Sequence, residues 1–104
     1  MNKSFHQEFL LNCNYQSVDL NLYTENKIPT DENSLVFLIS ELDCKIGNID
    51  DWNTFVEQIP NGTWIALQND RPVSENPIYT EFSINTIKAY ICRLTEAEIP
   101  CVLI

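Results

Sequence analysis

Residues 35–68, LVFLISELDCKIGNIDDWNTFVEQIPNGTWIALQ, decide the fold class of this chain. The run opens with an unbroken apolar stretch over 35–39, which is typical of a strand that is covered on both faces and central in a sheet. Residues 51–59 then carry apolar side chains at the spacing of one helical face: Trp52, Phe55, Val56 and Ile59. After the helix-ending Pro60-Asn61-Gly62, residues 63–68 predict a second strand. The segment therefore predicts a β-α-β unit with parallel strands.

The N-terminal flank adds two predicted elements to this unit. Residues 18–23, VDLNLY, alternate apolar and polar side chains and predict a half-buried strand. We expect this strand to pair antiparallel, as a hairpin, with the strand over 35–39. Residues 3–13 predict a short helix before it.

The C-terminal flank continues the alternation of strands and helices. Residues 70–82 contain two prolines and predict a long loop. Ser83 is the predicted cap of a second helix, which Pro100 ends, and residues 101–104 predict a last strand. We therefore expect a single domain over residues 1–104, of the α/β (or α+β) class. A mostly parallel sheet of about four strands packs with two to three helices in the order (α)ββαβαβ.

Charge and composition limit the kinds of partner that this chain can bind. The net charge is −9, from 15 acidic and 6 basic residues, which argues against direct binding to nucleic acid or to an anionic membrane. The hydrophobic content of 44% is too high for a disordered chain. The first residues hold no apolar stretch of the signal-peptide type, so we expect a cytoplasmic protein. In that compartment its cysteines are expected to be reduced: Cys13, Cys44, Cys92 and Cys101.

The chain lacks the residue sets of the common catalytic and metal sites. His6 is the single histidine, and we interpret it as an exposed surface residue rather than as the base of a Ser-His-Asp or Cys-His arrangement. The cysteines have no C-x-x-C spacing, and Gly47 and Gly62 stand alone rather than in a phosphate-binding loop. We therefore assign no catalytic, cofactor or metal residues and expect no enzymatic activity.

The carboxylates are concentrated in one part of the chain. Residues 19–57 carry nine acids against two lysines, a sum of −7. In a β-α unit the strand exit and the helix start lie at the same edge of the sheet, so four carboxylates are expected to form one rim there: Glu41, Asp43, Asp50 and Asp51. The alternative for Asp50 and Asp51 is that they only cap the helix, with Asp50 at the N-cap. Asp31 and Glu32 should form a separate patch at the opposite edge.

These residues suggest a surface for a partner. We assign partner binding to the rim, to Asp31 and Glu32, and to Glu57 of the same acidic segment. Tyr79 and Phe82, in the predicted loop, are expected to be partly exposed anchors. Trp52 and Trp64 fit core positions better than a binding surface.

The leading functional hypothesis is an inhibitory binding protein that neutralises a basic, nuclease-like partner, as a bacterial toxin immunity protein does. It is expected to act as a monomer or weak dimer without a cofactor. One alternative is a phage-encoded nucleic-acid mimic that blocks a defence nuclease. Another is a small enzyme or ligand-binding regulatory domain, which would need a deep pocket with convergent polar groups.

Overall fold

A computed structural model describes residues 10–73 and 75–104 of the chain. His6 and most of the predicted helix over 3–13 lie outside these ranges. The described elements, in chain order, are a 3-10 turn at Tyr15–Ser17, α1 at Leu20–Glu25, β1 at Ser34–Leu38, α2 at Ile39–Lys45, α3 at Ile49–Glu57, β2 at Trp64–Gln68, α4 at Pro77–Glu96 and β3 at Cys101–Leu103.

The sheet is parallel throughout, and its strand order is β1-β2-β3. The predicted α/β class and parallel pairing are confirmed, but the described residues form three strands rather than four. The central strand is β2, whose Ile65, Ala66 and Leu67 are buried. The prediction that the apolar run over 35–39 is central was wrong, because β1 lies at the edge and leaves Val36 57% exposed.

The alternating segment over 18–23 is not a strand. Its residues enter the helix α1, which starts because the Asp19 side chain accepts a hydrogen bond from the Asn21 backbone N–H at 3.0 Å. Leu20 and Tyr23, three residues apart, pack against the core, whereas Leu22 is 57% exposed. The helical spacing therefore prevailed over the alternation, and the expected antiparallel hairpin does not form.

The apolar run at 35–39 is shared between two elements. The strand β1 ends at Leu38 and the helix α2 begins at Ile39. No helix was predicted there, where the sequence indicated only the exit of the strand. The three residues that anchor this turn of chain have helical spacing and are all buried: Ile39, Leu42 and Ile46. The crossover from β1 to β2 thus contains two helices, α2 and α3, instead of one.

The helix α4 begins at Pro77 rather than after Ser83, so the connection from β2 is shorter than predicted. The Asn76 side chain accepts a hydrogen bond from the Ile78 N–H at 2.9 Å, and Pro77 occupies the first helical position, where its missing N–H has no cost. Tyr79 and Phe82 therefore lie on the first turns of a helix.

Replacement of the cap residue distinguishes a helix α4 that starts at Pro77 from one that starts after Ser83. Asn76→Ala should lower the free energy of unfolding by about 1 kcal/mol, because it removes an acceptor for an otherwise unpaired N–H. Ser83→Ala should change it by a few tenths of a kcal/mol at most, since alanine is a good helix former. Chemical denaturation of both variants measures the difference. A larger loss for Ser83→Ala would contradict the helix start at Pro77.

The core joins the sheet to α3 and α4 through aromatic rings. Phe55 meets Phe37 of β1 edge-on, with ring centroids 5.0 Å apart, and Trp52 lies 6.5 Å from the ring of Tyr90 on α4. Trp52 is buried as predicted, while Trp64 is only half-buried. The four cysteines form no disulfide with one another, and Cys101 is buried at the start of β3.

Cys101 should make the fold sensitive to alkali. Burial raises the pKa of this thiol from 9.0 to about 12. Because the folded pKa is the higher one, the contribution of the neutral thiol to stability is intact below pH 9.0 and is lost as the pH rises towards about 12. Cys101→Ala should reduce the slope of unfolding free energy against pH in this window by about 1.4 kcal/mol per pH unit. Cys44→Ala, at an exposed position, is the control, and equal slopes in the two variants would contradict the assignment.

Candidate protein-binding surface

Asp43, assigned to the acidic rim from sequence, is instead the centre of a cross-link at the carboxyl ends of the strands. Its carboxylate accepts hydrogen bonds from Nε and Nη2 of Arg71, which follows β2, and from the Tyr90 hydroxyl on α4 at 2.6 Å. Arg71 also donates to the Ser83 carbonyl oxygen at 3.4 Å. Burial, and then the negative charge of Asp43, raise the pKa of Tyr90 above its ordinary range. The cross-link ties α2, the β2 exit and α4 together and leaves little of the Asp43 charge for a partner.

The neighbouring polar groups at this edge also satisfy one another. Asp70, after β2, accepts hydrogen bonds from the backbone N–H and the hydroxyl of Ser40, and these bonds hold its pKa below the usual value. Glu41 lies 3.7 Å from the ammonium of Lys45, one helical turn away. The Ser40–Asp70 bonds fix the start of α2 against the end of β2, whereas the Glu41–Lys45 pair lies within α2.

Asp51 and Asp50 belong to the start of α3. The N-cap is Asn48, not Asp50: its side chain accepts from the Asp51 N–H at 2.9 Å, and the Asp51 carboxylate accepts from the Gly47 N–H at 3.0 Å. This arrangement resembles a capping box, except that Asp51 accepts from Gly47, the residue before the N-cap, rather than from Asn48 itself. Asp50 is exposed in the first turn, where the helix dipole favours a negative charge. Hydrogen bonds and helix capping within the fold therefore account for most of the carboxylates that were predicted to form the rim.

A second group of carboxylates lies at the opposite edge of the sheet, where the strands begin. We call it the amino edge and define it by five exposed acids: Glu25, Asp31, Glu32, Glu57 and Glu98. Lys27 lies in the same loop region. None of the five acids forms an ion pair or a side-chain hydrogen bond with any residue that the structure describes.

Three sets of contacts place these acids together. The Trp64 N–H, at the start of β2, donates to the Asn33 carbonyl oxygen at 2.8 Å, which brings the loop holding Asp31 and Glu32 to the sheet edge. A cavity of about 190 Å³ is lined by the end of α3 and by Glu98 after α4. Glu57, the last residue of α3, and Glu98 therefore lie where two helices end side by side. Asn26, adjacent to Glu25, lines a further cavity with Trp64 and Glu98.

The ends of three helices make the amino edge more negative than its side chains alone. The helices α1, α3 and α4 all finish there, and the carboxyl end of a helix carries a partial negative charge. A carboxylate beside such an end is electrostatically unfavourable. Glu98 also adopts a left-handed backbone conformation, φ 60°, at a position where glycine is preferred. Local structure thus gives no reason for acids at these positions.

A concave feature opens at this edge between α1 and the end of α4. The cavity has a volume of about 370 Å³, and its wall combines aromatic and polar side chains, among them Tyr23, Asn26, Trp64, Thr95 and Glu98. Aromatic faces next to carboxylates suit the long side chain of an arginine or lysine, because the stem packs on the rings while the charge meets oxygen.

Tyr79 and Phe82 lie away from the amino edge, on the first turns of α4. Tyr79 is 64% exposed, as expected, and it adjoins exposed Val73, Ile78 and Ile84. Phe82 is half-buried. The aromatic pair is therefore separate from the amino edge and adjoins the strand exits, where Tyr79 and Arg71 line one cavity.

Sequence reasoning identified Asp31, Glu32 and Glu57 but missed Glu25 and Glu98. Glu25 fell beyond a segment interpreted as a strand, and Glu98 lies in the short connection from α4 to β3. The only sequence signal for either was its position shortly after an apolar periodic run: Glu25 lies three residues after Leu22, and Glu98 lies four residues after Leu94.

No helix among the described residues combines the length and the apolar character needed to cross a membrane. No family model, curated protein or solved structure matches the chain.

Proposed function

We propose that this protein is an inhibitory binding protein that neutralises a basic, nuclease-like protein partner, as the immunity protein of a bacterial toxin does. It binds through the amino edge. The observation that carries the proposal is the set of five exposed carboxylates there, none paired with a described residue. A nuclease surface that normally holds phosphates presents lysine and arginine, and carboxylates are their natural protein counterparts.

The contrast between the two sheet edges supports this choice of surface. At the opposite edge, where the strands end and which we call the carboxyl edge, three carboxylates accept hydrogen bonds within the fold: Asp43, Asp51 and Asp70. At the amino edge the carboxylates repel one another and the helix ends, which costs stability. An uncompensated charge cluster of this kind accelerates the encounter with a cationic protein and strengthens its binding.

The cavity beside Trp64 supports a specific anchoring mode. One arginine or lysine side chain of the partner enters between Tyr23 and Trp64, and its charge is met by Glu98. The remaining basic residues of the partner pair with Asp31, Glu32 and Glu57 around it. The nuclease is inhibited because these contacts occupy residues that would bind the phosphate backbone.

Identification of the partner is the experiment that tests the proposal. The tagged full chain is used to isolate partners from its native cells at low salt, and each captured protein is then produced in pure form. We expect a basic protein whose nuclease activity falls to background at about one molar equivalent of this chain, and whose binding weakens as salt rises. A toxin nuclease supports the immunity role, whereas a host defence nuclease supports the mimic. Captured partners that are not basic, or a nuclease still active with excess chain, would contradict the proposal.

A further inference from the structure

Three potential metal ligands converge between α4 and the chain that precedes the 3-10 turn. The Cys13 and Cys92 sulfurs and a carboxylate oxygen of Glu96 all lie within 4.8 Å of one another. Cys92 and Glu96 are one helical turn apart on α4 and so share a face, and the Cys92 thiol donates to Glu96 Oε1 at 3.4 Å. Two sulfurs bound to one tetrahedral zinc ion, with Zn–S near 2.3 Å, are about 3.8 Å apart. Small side-chain rotations therefore suffice to bring these three donors to one ion.

The fold holds both sides of this cluster in place. The Cys13 thiol donates to the Leu10 carbonyl oxygen at 2.9 Å, and Leu10 is part of the buried core. Arg93 on α4 donates to the Asn12 carbonyl oxygen at 3.0 Å, which links the chain beside Cys13 to the helix that carries Cys92. Arg93 also approaches Oε2 of Glu96, at 3.8 Å, which leaves Oε1 directed at the thiol.

The cluster also has access to solvent. A cavity of about 520 Å³ lies between α4 and the segment from the 3-10 turn to α1, and its wall includes Asp19, Tyr23, Cys92 and Glu96. An ion can enter from this cavity, and a water molecule there can complete its coordination.

We propose that Cys13, Cys92 and Glu96 bind one zinc-like divalent cation, with water as the fourth ligand. Thiolate sulfur favours borderline and soft ions such as Zn²⁺ over Mg²⁺ or Ca²⁺. Burial and the neighbouring Cys13 and Glu96 raise the pKa of Cys92 to about 12. The cation displaces the thiol protons as it binds, because the thiolate is the ligand form. The site clamps residues 12–13 to α4. Its three ligands are not among the five acids of the amino edge, although Tyr23 lines the cavities beside both sites.

Cobalt titration of the reduced full chain tests the site. Co²⁺ replaces Zn²⁺ in tetrahedral thiolate sites and reports them through visible ligand-field bands and a thiolate-to-cobalt charge-transfer band. We expect one equivalent of Co²⁺ to give both signals, and Zn²⁺ to abolish them by displacement. Zinc should also raise the melting temperature in proportion to the logarithm of its concentration.

Matched variants determine whether Cys13, Cys92 and Glu96 are responsible for the Co²⁺ signals. Cys92→Ser and Cys13→Ser should weaken Co²⁺ binding by more than about 100-fold, since the loss of even an outer partner of a metal ligand costs 10–100-fold. Cys44→Ser, at an exposed cysteine outside the cluster, should bind as the wild type does. Glu96→Gln should weaken binding where Glu98→Gln does not, and circular dichroism checks that each variant is folded. Absence of the charge-transfer band in the reduced wild type, or equal loss in Cys44→Ser and Cys92→Ser, would overturn the proposal.

Discussion

Asp43→Ala is expected to lower the free energy of unfolding by about 3 kcal/mol, the largest stability effect of any acidic residue discussed above. The change removes the acceptor of two Arg71 hydrogen bonds and of the Tyr90 hydroxyl in a single step. The Arg71 side chain is only 14% exposed, so its charge would remain largely buried without its carboxylate. Removal of one partner of such a pair is more costly than the pair itself is stabilising. Urea denaturation, with a check that the m-value is unchanged, measures the effect.

Glu41→Ala is the matched control for this prediction. Both residues lie on α2 and both were assigned to the acidic rim from sequence, but Glu41 makes only an exposed pair with Lys45. Its replacement should cost about 0.5 kcal/mol or less. Tyr90→Phe, which removes one hydrogen bond to Asp43, should lie between them at about 1 kcal/mol. Equal losses for Asp43→Ala and Glu41→Ala would show that Asp43 is a free surface residue, as the sequence had indicated.

The combined variant Asp31→Asn, Glu32→Gln and Glu57→Gln is expected to weaken binding of the basic partner by about 100-fold. Each carboxylate is assigned about 1 kcal/mol of interaction with a lysine or arginine, and three such terms correspond to that factor. The slope of the logarithm of affinity against the logarithm of salt should also become shallower, because fewer ion pairs form. Calorimetric titration of the purified partner at several salt concentrations gives both quantities.

The same variant should be at least as stable as the wild type. Glu57 ends α3 beside the negative pole of the helix, and its neutralisation should contribute a few tenths of a kcal/mol. The control replaces Glu41→Gln and Asp50→Asn, near the strand exits, and Glu81→Gln, an exposed acid near the start of α4, and so has an identical net charge. Its affinity should remain within about threefold of the wild type, since only the long-range field of the protein has changed. Equal weakening of affinity in the two variants would show that the amino edge contributes only through the net charge of the protein, and not as the binding surface.

Part of the fold was predictable because its residues obey local rules. The helix α3 was found from the spacing of Trp52 and Phe55, and β2 from the apolar run that follows Gly62. The helix α2 was missed although Ile39 and Leu42 have helical spacing, because the preceding residues of β1 are equally apolar and conceal the boundary. An apolar run that is longer than its strand does not by itself show where the strand ends.

The candidate site was harder to predict because it depends on contacts between distant residues. Arg71 lies 28 residues after Asp43, and no pattern in either segment indicates that they meet. The chain order correctly separated Asp31 and Glu32 from the rim around Glu41. The hydrogen bonds that pair the carboxylates near Glu41 within the fold are visible only in the folded chain. Because the amino-edge acids lack such bonds with described residues, we place the binding surface there.

Hydrogen–deuterium exchange of the chain, with and without its partner, tests the central claim most directly. The amino edge as a binding surface predicts slower exchange in peptides that cover residues 25–33, 57–64 and 97–101. Exchange in residues 39–51 and 69–84, at the carboxyl edge and on the first turns of α4, should be little changed. Protection confined to those two segments, with none at the amino edge, would contradict the account.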